Sequence, residues 1–369
     1  MKNHILILIV LLISQTADAT IWQVDNNLNS PQPLNDVQDA IDNYAIAGDT
    51  IYIEGSATPY GQALATKSIT IIGEGYYDLL SETVLLDVDV RASDVYISGI
   101  RGSILFSTNL ASFTTINNVT VERCYLQSGT ISIIGNPNAS SHAIASDITF
   151  RNNIFDNVWV GFAVSSQFDT KLMVDSIILE NNIFTHSGFQ VRNPTNTIGL
   201  ATFILRNNLF IDGVRQNANG NNTLFYDGFF FTAIYDAVIY NNIFYAANPQ
   251  GCTTCTLFNN LSFQNGVNDS LPSSQNNIVA QDPLFVNYPL LGGTFDFTHD
   301  YHLQQTPIQS PCIGTGNPIG TDIGIYGGLY PFEIGAGPKI PIVDYVNISN
   351  NAVQQNSTFY LQFDAKVRK

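Results

Sequence analysis

His186, Arg192, Asp212, Arg215, Tyr226 and Asp227 lie in one stretch of the chain and supply the groups that proton abstraction beside a carboxylate needs. Such chemistry requires a base near the proton and a positive charge to stabilise the enolate that forms. His186 or Tyr226 is the candidate base, and Arg192 or Arg215 the candidate stabiliser. Asp212 and Asp227 are candidate ligands for a hard cation such as Ca2+, which binds carboxylate oxygens. A plainer reading outweighs this one on sequence alone: His186 caps a loop and hydrogen-bonds a neighbour. His299-Asp-Tyr-His302 is a poor metal motif, because Tyr301 and Leu303 alternate as in a strand, whereas this His spacing suits a helix.

The elements that must position these groups repeat. Ile148-Thr-Phe-Arg-Asn-Asn-Ile-Phe155 recurs as Ile178-Leu-Glu-Asn-Asn-Ile-Phe184, Ile204-Leu-Arg-Asn-Asn-Leu-Phe210, Val238-Ile-Tyr-Asn-Asn-Ile-Phe244 and Leu257-Phe-Asn-Asn-Leu261. With looser upstream copies, the first corner residue falls at 73, 99, 123, 152, 181, 207, 241 and 259. Such spacing with variable insertions marks a solenoid of about eight or more coils, all-β in class. Alternation puts Ile148 and Phe150 inside and Thr149 and Arg151 outside. The same register gives an outward column of Glu122, Arg151, Glu180 and Arg206, whose alternating signs suit surface pairing and register control.

Asn152, Asn153, Asn181, Asn182, Asn207, Asn208, Asn241 and Asn242 read as structural. Asparagine tolerates the left-handed conformation of a sharp corner, and stacked amides can bond from coil to coil. The recurring Phe155, Phe184, Phe210 and Phe244 predict an apolar stack along the axis. Phe229-Phe-Phe231 cannot all face inward, so at least one of these rings is exposed or covered by a loop. Asn157, His186 and Asp212 follow the corner in three successive coils, so stacking brings His186 near Asp212. His142 lies in a polar excursion, 135–146, that walls a cleft or is a plain insertion. Function is expected where the repeat is broken, in 156–165, 185–192 and 211–231.

The chain has 369 residues, a net charge of −16 and a pI near 4.4, with charged residues at 12%. Nucleic acid is excluded as a partner, because phosphate binding needs a basic stripe. Lys2, an apolar run over 5–13 and Ala17-Asp18-Ala19 predict a targeting segment over 1–19, cleaved before Thr20. The apolar run is too short to span a bilayer, so the mature chain has no expected transmembrane segment. Export would make it secreted, periplasmic or surface-bound, and would permit disulfides. Cys252-Thr-Thr-Cys255 predicts a local disulfide, Cys124 should sit inside a corner, and Cys312 has no assigned partner.

Asn35 with Gln38 has capping-box spacing, and Leu34, Val37, Ile41 and Tyr44 follow at helical intervals up to Gly48. One helix before an array of strands predicts an N-terminal cap. From Asn276, Asp282-Pro-Leu-Phe-Val286, Asp300-Tyr-His-Leu303, Ser310-Pro-Cys-Ile313 and Asp322-Ile-Gly-Ile-Tyr-Gly-Gly328 read as short strands that close the second end. A terminal pair is expected at 342–348 and 358–363. The domains are thus 1–19, a solenoid over 20–337 and an extension over 338–369, in a chain expected to be monomeric.

Ala47-Gly-Asp-Thr-Ile-Tyr-Ile, Lys67-Ser-Ile-Thr-Ile-Ile-Gly, the Asn-Asn-Ile-Phe repeats, Asp-Pro-Leu-Phe, Tyr-His-Leu-Gln, Ser-Pro-Cys-Ile-Gly-Thr-Gly and Thr321-Asp-Ile-Gly-Ile-Tyr-Gly-Gly resemble the pectin-lyase-like superfamily. The chain looks like an exported bacterial member, of the kind common in polysaccharide-degrading Bacteroidetes. The resemblance implies a single-stranded right-handed parallel β-helix that contacts polysaccharide. A lyase acting by β-elimination on an acidic glycan, with Ca2+ as its cation, is the leading expectation. A non-catalytic β-helix for glycan binding or adhesion is the alternative. Polygalacturonases of this superfamily resemble one another in Asn-Thr-Asp and Asp-Asp motifs, and this chain has neither. Fold therefore does not decide whether the chain is an enzyme.

Overall fold

A computed structural model describes residues 19–28, 30, 32–76, 84–107, 115–134, 143–162, 172–174, 176–191, 202–211, 215–216, 222–223, 234–235, 237–247, 249, 252–253, 255–263, 271, 275–289, 295–335, 341–348 and 361–367. Two long parallel sheets dominate, of 11 and 12 strands. The first stacks Ile21–Val24, Thr50–Ile53, Thr70–Gly73, Val95–Ser98, Ile116–Glu122, Ala143–Arg151, Ser176–Glu180, Thr202–Arg206, Val238–Tyr240 and Thr256–Phe258 in that order. The second stacks the intervening strands from Gly61–Ala65 to Ile278–Val279 in the same order. Each coil therefore gives one strand to each sheet, which is a parallel β-solenoid.

The core is the space between the sheets. Ile148, Phe150, Ile177, Leu179, Phe203 and Leu205 are fully buried from the first sheet, as the alternation predicts. From the second, Phe155, Phe184 and Phe210 stack on one another and on Phe244, with centroids 4.3, 4.7 and 5.1 Å apart. Register sets this column, since Phe155 pairs with Phe184, Phe184 with Phe210 and Phe210 with Phe244.

The two asparagines of each corner do different work. The first takes the left-handed backbone: φ is 55° at Asn152, 53° at Asn181, 55° at Asn207 and 58° at Asn241. The second forms a buried ladder. Asn153 donates through N and Nδ2 to Asn182 Oδ1 at 2.9 and 3.1 Å, and Nδ2 also reaches Val121 O at 2.9 Å. Asn182, Asn208, Asn242 and Asn260 repeat the pattern as far as Asn277. Each amide is thereby satisfied inside a dry corner, where an unmade bond would be costly. Cys124 ends the ladder, giving its N–H to Asn153 Oδ1 at 2.9 Å from a fully buried position. Asn276 continues the corners with φ 56°, at the point where the sequence pattern changes.

The N-terminal helix is present, with one correction. Asp36, not Asn35, is its N-cap, accepting from Asp39 N at 2.8 Å. The helix runs as α over Val37–Asp39 and as π over Ala40–Tyr44. Val37, Ala40 and Ile41 enter the core. Gln38 Oε1 accepts from Leu64 N at 2.6 Å, covering the free edge of the second sheet. Lys67 Nζ donates to Ile41 O at 2.6 Å and Ala45 O at 2.8 Å, where the helix leaves its last carbonyls open.

The largest departure is at the other terminus. The segment after Asn276 does not close the end of the solenoid as expected; it runs back along the flank. Of the four short strands expected there, Phe285–Asn287 and Asp300–Leu303 are strands, paired antiparallel, while 310–313 and 322–328 are turns and bends. Asn259 Nδ2 reaches Thr315 O at 2.8 Å, Asn241 reaches Asn317 O at 2.7 Å, Asn207 reaches Gly324 O at 3.2 Å, and Asn181 reaches Ile325 O at 2.8 Å. Farther on, Tyr330 lies under Arg151 at 4.3 Å, and Glu333 pairs with Arg123. We call residues 311–333 the strap.

A second core lies beneath the strap and its neighbouring hairpin. Ile154, Ile183, Leu209, Ile243 and Leu261, the residues just after Asn-Asn, turn outward and pack against Tyr301, Cys312, Ile323, Ile325 and Phe332. The apolar pair after each corner thus divides, one residue into the solenoid and one under the strap. The charged column is half-covered too. Arg151 joins Glu122 at 2.5 Å, and Arg206 joins Glu180 at 2.5 Å. Glu180 is 4% exposed, so this is not the open surface ladder expected from the sequence. Burial works against the charge of Arg151 and Arg206, yet Glu122 and Glu180 beside Arg151, and Glu180 with the Tyr240 hydroxyl beside Arg206, raise their pKa values. Two strands near the C-terminus, Pro341–Ile348 and Leu361–Val367, pair antiparallel, as the sequence suggests.

Candidate functional site

Of the proposed proton-transfer set, His186 has a described side chain. It sits at a second left-handed corner, φ 47°, where other coils carry Asn157 at 56° and Ala246 at 52°. Its N–H donates to Ile211 O at 3.2 Å, and its Nδ1 lies 3.2 Å from Thr185 Oγ1. Asparagine and alanine fill the same corner, so the position serves the turn in these coils. Arg215 lies on a short strand, Arg215–Gln216, paired antiparallel with Asn222–Thr223, and its side chain is outside the described residues. Arg192, Asp212, Tyr226, Asp227, His142 and Phe229-Phe-Phe231 also lie outside the described residues. No group of three or more potential metal ligands occurs among the described residues.

The two histidines of His299-Asp-Tyr-His302 behave as the strand alternation implies. Tyr301 is buried, while His302 faces outward, 2.6 Å from Asp300 Oδ1 and stacked on Tyr326 at 3.8 Å. Cys255 is disulfide-bonded, and Cys124 and Cys312 are free thiols. The side chain of Cys252, the expected partner of Cys255, lies outside the described residues.

Sequence reasoning missed a cleft on the outer face of the second sheet. It holds about 310 Å3 and is lined by Leu85, Asp87, Arg101, Gly102, Ser103 and Gln127. That volume is at the lower end of the range for small-ligand sites. Its position follows from register. Leu261, Ile243, Leu209, Ile183, Ile154, Tyr125 and Arg101 form one column of paired positions, continued to Leu85. The strap and hairpin cover this column from Leu261 to Tyr125, where Phe295 and Phe297 contact the Tyr125 ring at 6.1 and 5.7 Å. At Arg101 the column turns polar and opens to solvent.

Within the cleft, Arg101 Nε donates to Gln127 Oε1 at 2.7 Å, and its guanidinium lies 5.2 Å from the Tyr125 ring centroid. Tyr125 donates its hydroxyl to Asp156 Oδ2 at 2.7 Å. Burial first, and then the bond to Asp156, push the Tyr125 phenol above its ordinary pKa. Asp87 Oδ1 accepts from Ser103 N at 2.8 Å and Ser103 Oγ at 2.7 Å. Gly102 keeps the floor low: its φ is 155°, and a Cβ there would fall on Leu86 O and lie 3.1 Å from Asp87 Oδ1. The available signal was Arg101 itself, a charged residue in a column that is otherwise apolar or aromatic.

Comparison with models of protein families and with curated proteins gives no match to this chain.

Proposed function

We propose that the chain is an exported right-handed β-helix protein of the pectin-lyase-like superfamily that contacts polysaccharide along its flank. The observation that carries this reading is the open cleft at Arg101, placed where the strap stops covering the second sheet. Sugars present hydroxyls that both donate and accept, beside apolar ring faces. Asp87, Ser103, Gln127 and Arg101 offer acceptors and donors, and Leu85 and Gly102 offer apolar surface. Parallel stacking extends the face from coil to coil, which suits a polymer better than a small metabolite.

Two forms of this reading remain distinct. In the first, the chain is a lyase acting by β-elimination on an acidic glycan, with His186 or Tyr226 as base, Arg192 or Arg215 as stabiliser, and Asp212 and Asp227 holding Ca2+. In the second, it binds or adheres without catalysis. Among the described residues, none of these lyase candidates lines the cleft at Arg101, whose donors and acceptors suit the second form. Incubation with alginate, pectate and glycosaminoglycans in the presence of Ca2+, following the absorbance of unsaturated product, separates the two. Product growth supports the lyase; binding without product supports the binder; neither binding nor product overturns the polysaccharide reading.

A further inference from the structure

We propose that Arg101 anchors an anionic group of the bound saccharide, a carboxylate or sulfate flanked by hydroxyls, directly and without a metal ion. The inference rests on the reading of the chain as a polysaccharide-contacting protein.

The charge pattern carries the argument. The chain has a net charge of −16, and arginines with described side chains are otherwise paired. Arg91 meets Asp89, Arg123 meets Glu333, Arg151 meets Glu122, and Arg206 meets Glu180. Among the described residues, Arg101 alone of these arginines meets no carboxylate. Its Nε is held by the neutral Gln127, and its two terminal nitrogens have no protein partner among the described residues. A guanidinium fixed at one edge and open at the other presents two parallel donors, the geometry that carboxylates and sulfates accept.

The surroundings fix what else the ligand must carry. Asp87 uses Oδ1 on Ser103, which leaves Oδ2 open to a hydroxyl donor. Asp87 also disfavours a bare divalent anion, because like charge would sit beside it. A monoanionic group with neighbouring hydroxyls satisfies both sides of the cleft. Tyr125, under the guanidinium, holds the arginine plane in place.

The test is calorimetric titration of the full mature chain with carboxylated, sulfated and neutral oligosaccharides of matched length, each with and without a chelator. The expected result is at least tenfold tighter binding of one acidic series than of the neutral one, unchanged by chelator. Arg101→Gln should weaken that binding about tenfold or more, and Arg101→Lys by less, because lysine keeps charge but loses the paired donors. Ser103→Trp fills the cleft while leaving Arg101 in place, so it decides the matter if Arg101→Gln fails to fold. Equal affinity of the wild type and both blocking variants would overturn the anchor and leave the polysaccharide reading standing. Preference for neutral sugars, or loss of binding with chelator, would overturn it likewise. No binding of any series would overturn both.

Discussion

Asn181 Nδ2 donates to Gly327 O at 2.7 Å across 146 residues of sequence. The adjacent Asn182 donates instead to the ladder, reaching Asn208 Oδ1 at 3.0 Å. One dipeptide thus ties two layers: its second residue joins the coils, and its first joins the coils to the strap. Substitutions should separate the two roles. Asn181→Gly keeps the left-handed corner accessible and removes two bonds to the strap, at an expected cost of about 1–3 kcal/mol. Asn182→Ala leaves several buried groups unpaired, at about 3 kcal/mol or more. Denaturant titration reads the totals. Hydrogen exchange should show faster exchange at Ile323 and Gly324 for Asn181→Gly, against a global loss for Asn182→Ala. Equal costs with no local signature would contradict the division.

The solenoid was legible because its cause is periodic. Ile148 and Phe150 alternate in a way that only a buried sheet face explains, and Asn152-Asn153 marks each corner. The strap was not legible, because Thr321-Asp-Ile-Gly-Ile-Tyr-Gly-Gly carries no period. Its contacts are with residues far away in sequence, and its glycines follow from crowding against Asn207 and Ile243. The same holds for the site. His186 stood out as a titratable group in a broken coil, yet it occupies a corner that alanine also fills. Arg101 was overlooked, because its significance depends on where the strap ends.

The strap glycines give a second prediction. A Cβ at Gly327 would fall on Asp322 O and lie 2.7 Å from Asn207 Nδ2, whereas one at Gly314 meets nothing within 4 Å. Gly327→Ala should therefore cost about 1–3 kcal/mol by pushing the strap off its corner. Gly314→Ala pays only for its φ of 69°, about 1 kcal/mol. Thermal unfolding of the two variants, side by side, ranks them. A larger loss for Gly314→Ala would mean that the strap does not seat as described.

The cysteines predict a chemical phenotype. Burial pushes the Cys124 thiol up to about 12, and burial likewise raises Cys312. Thiolate is the reactive form, so both should resist a thiol reagent in the folded protein at neutral pH. Denaturation without reductant should expose two thiols per chain, those of Cys124 and Cys312, since Cys255 is oxidised. Four thiols would refute the local disulfide, and rapid labelling of folded protein would refute the packing of the ladder end.

The N-terminal coils predict a pH dependence. Glu54 is pushed up to about 7, by burial first and then by Glu74, while Gln23 donates to it. Glu74 is itself held by Tyr52 at 3.0 Å and Gly55 N at 3.1 Å. The folded state thus binds a proton that the unfolded chain, at an ordinary glutamate value of 4.5, has released. This contribution is full below that value and is lost as pH rises toward about 7. Glu54→Gln should therefore gain stability relative to the wild type across that window. Urea midpoints at pH 5 and pH 8 measure it. A constant difference between the two proteins at both pH values would contradict the raised value of Glu54.

The central claim is that this solenoid meets polysaccharide at the cleft bared where the strap ends. It is tested most directly by mapping hydrogen exchange of the wild-type chain with and without saturating acidic oligosaccharide. The account predicts protection centred on residues 101–103 and 125–127, with the strap unchanged. Protection confined to other coils, or none at all, would contradict it.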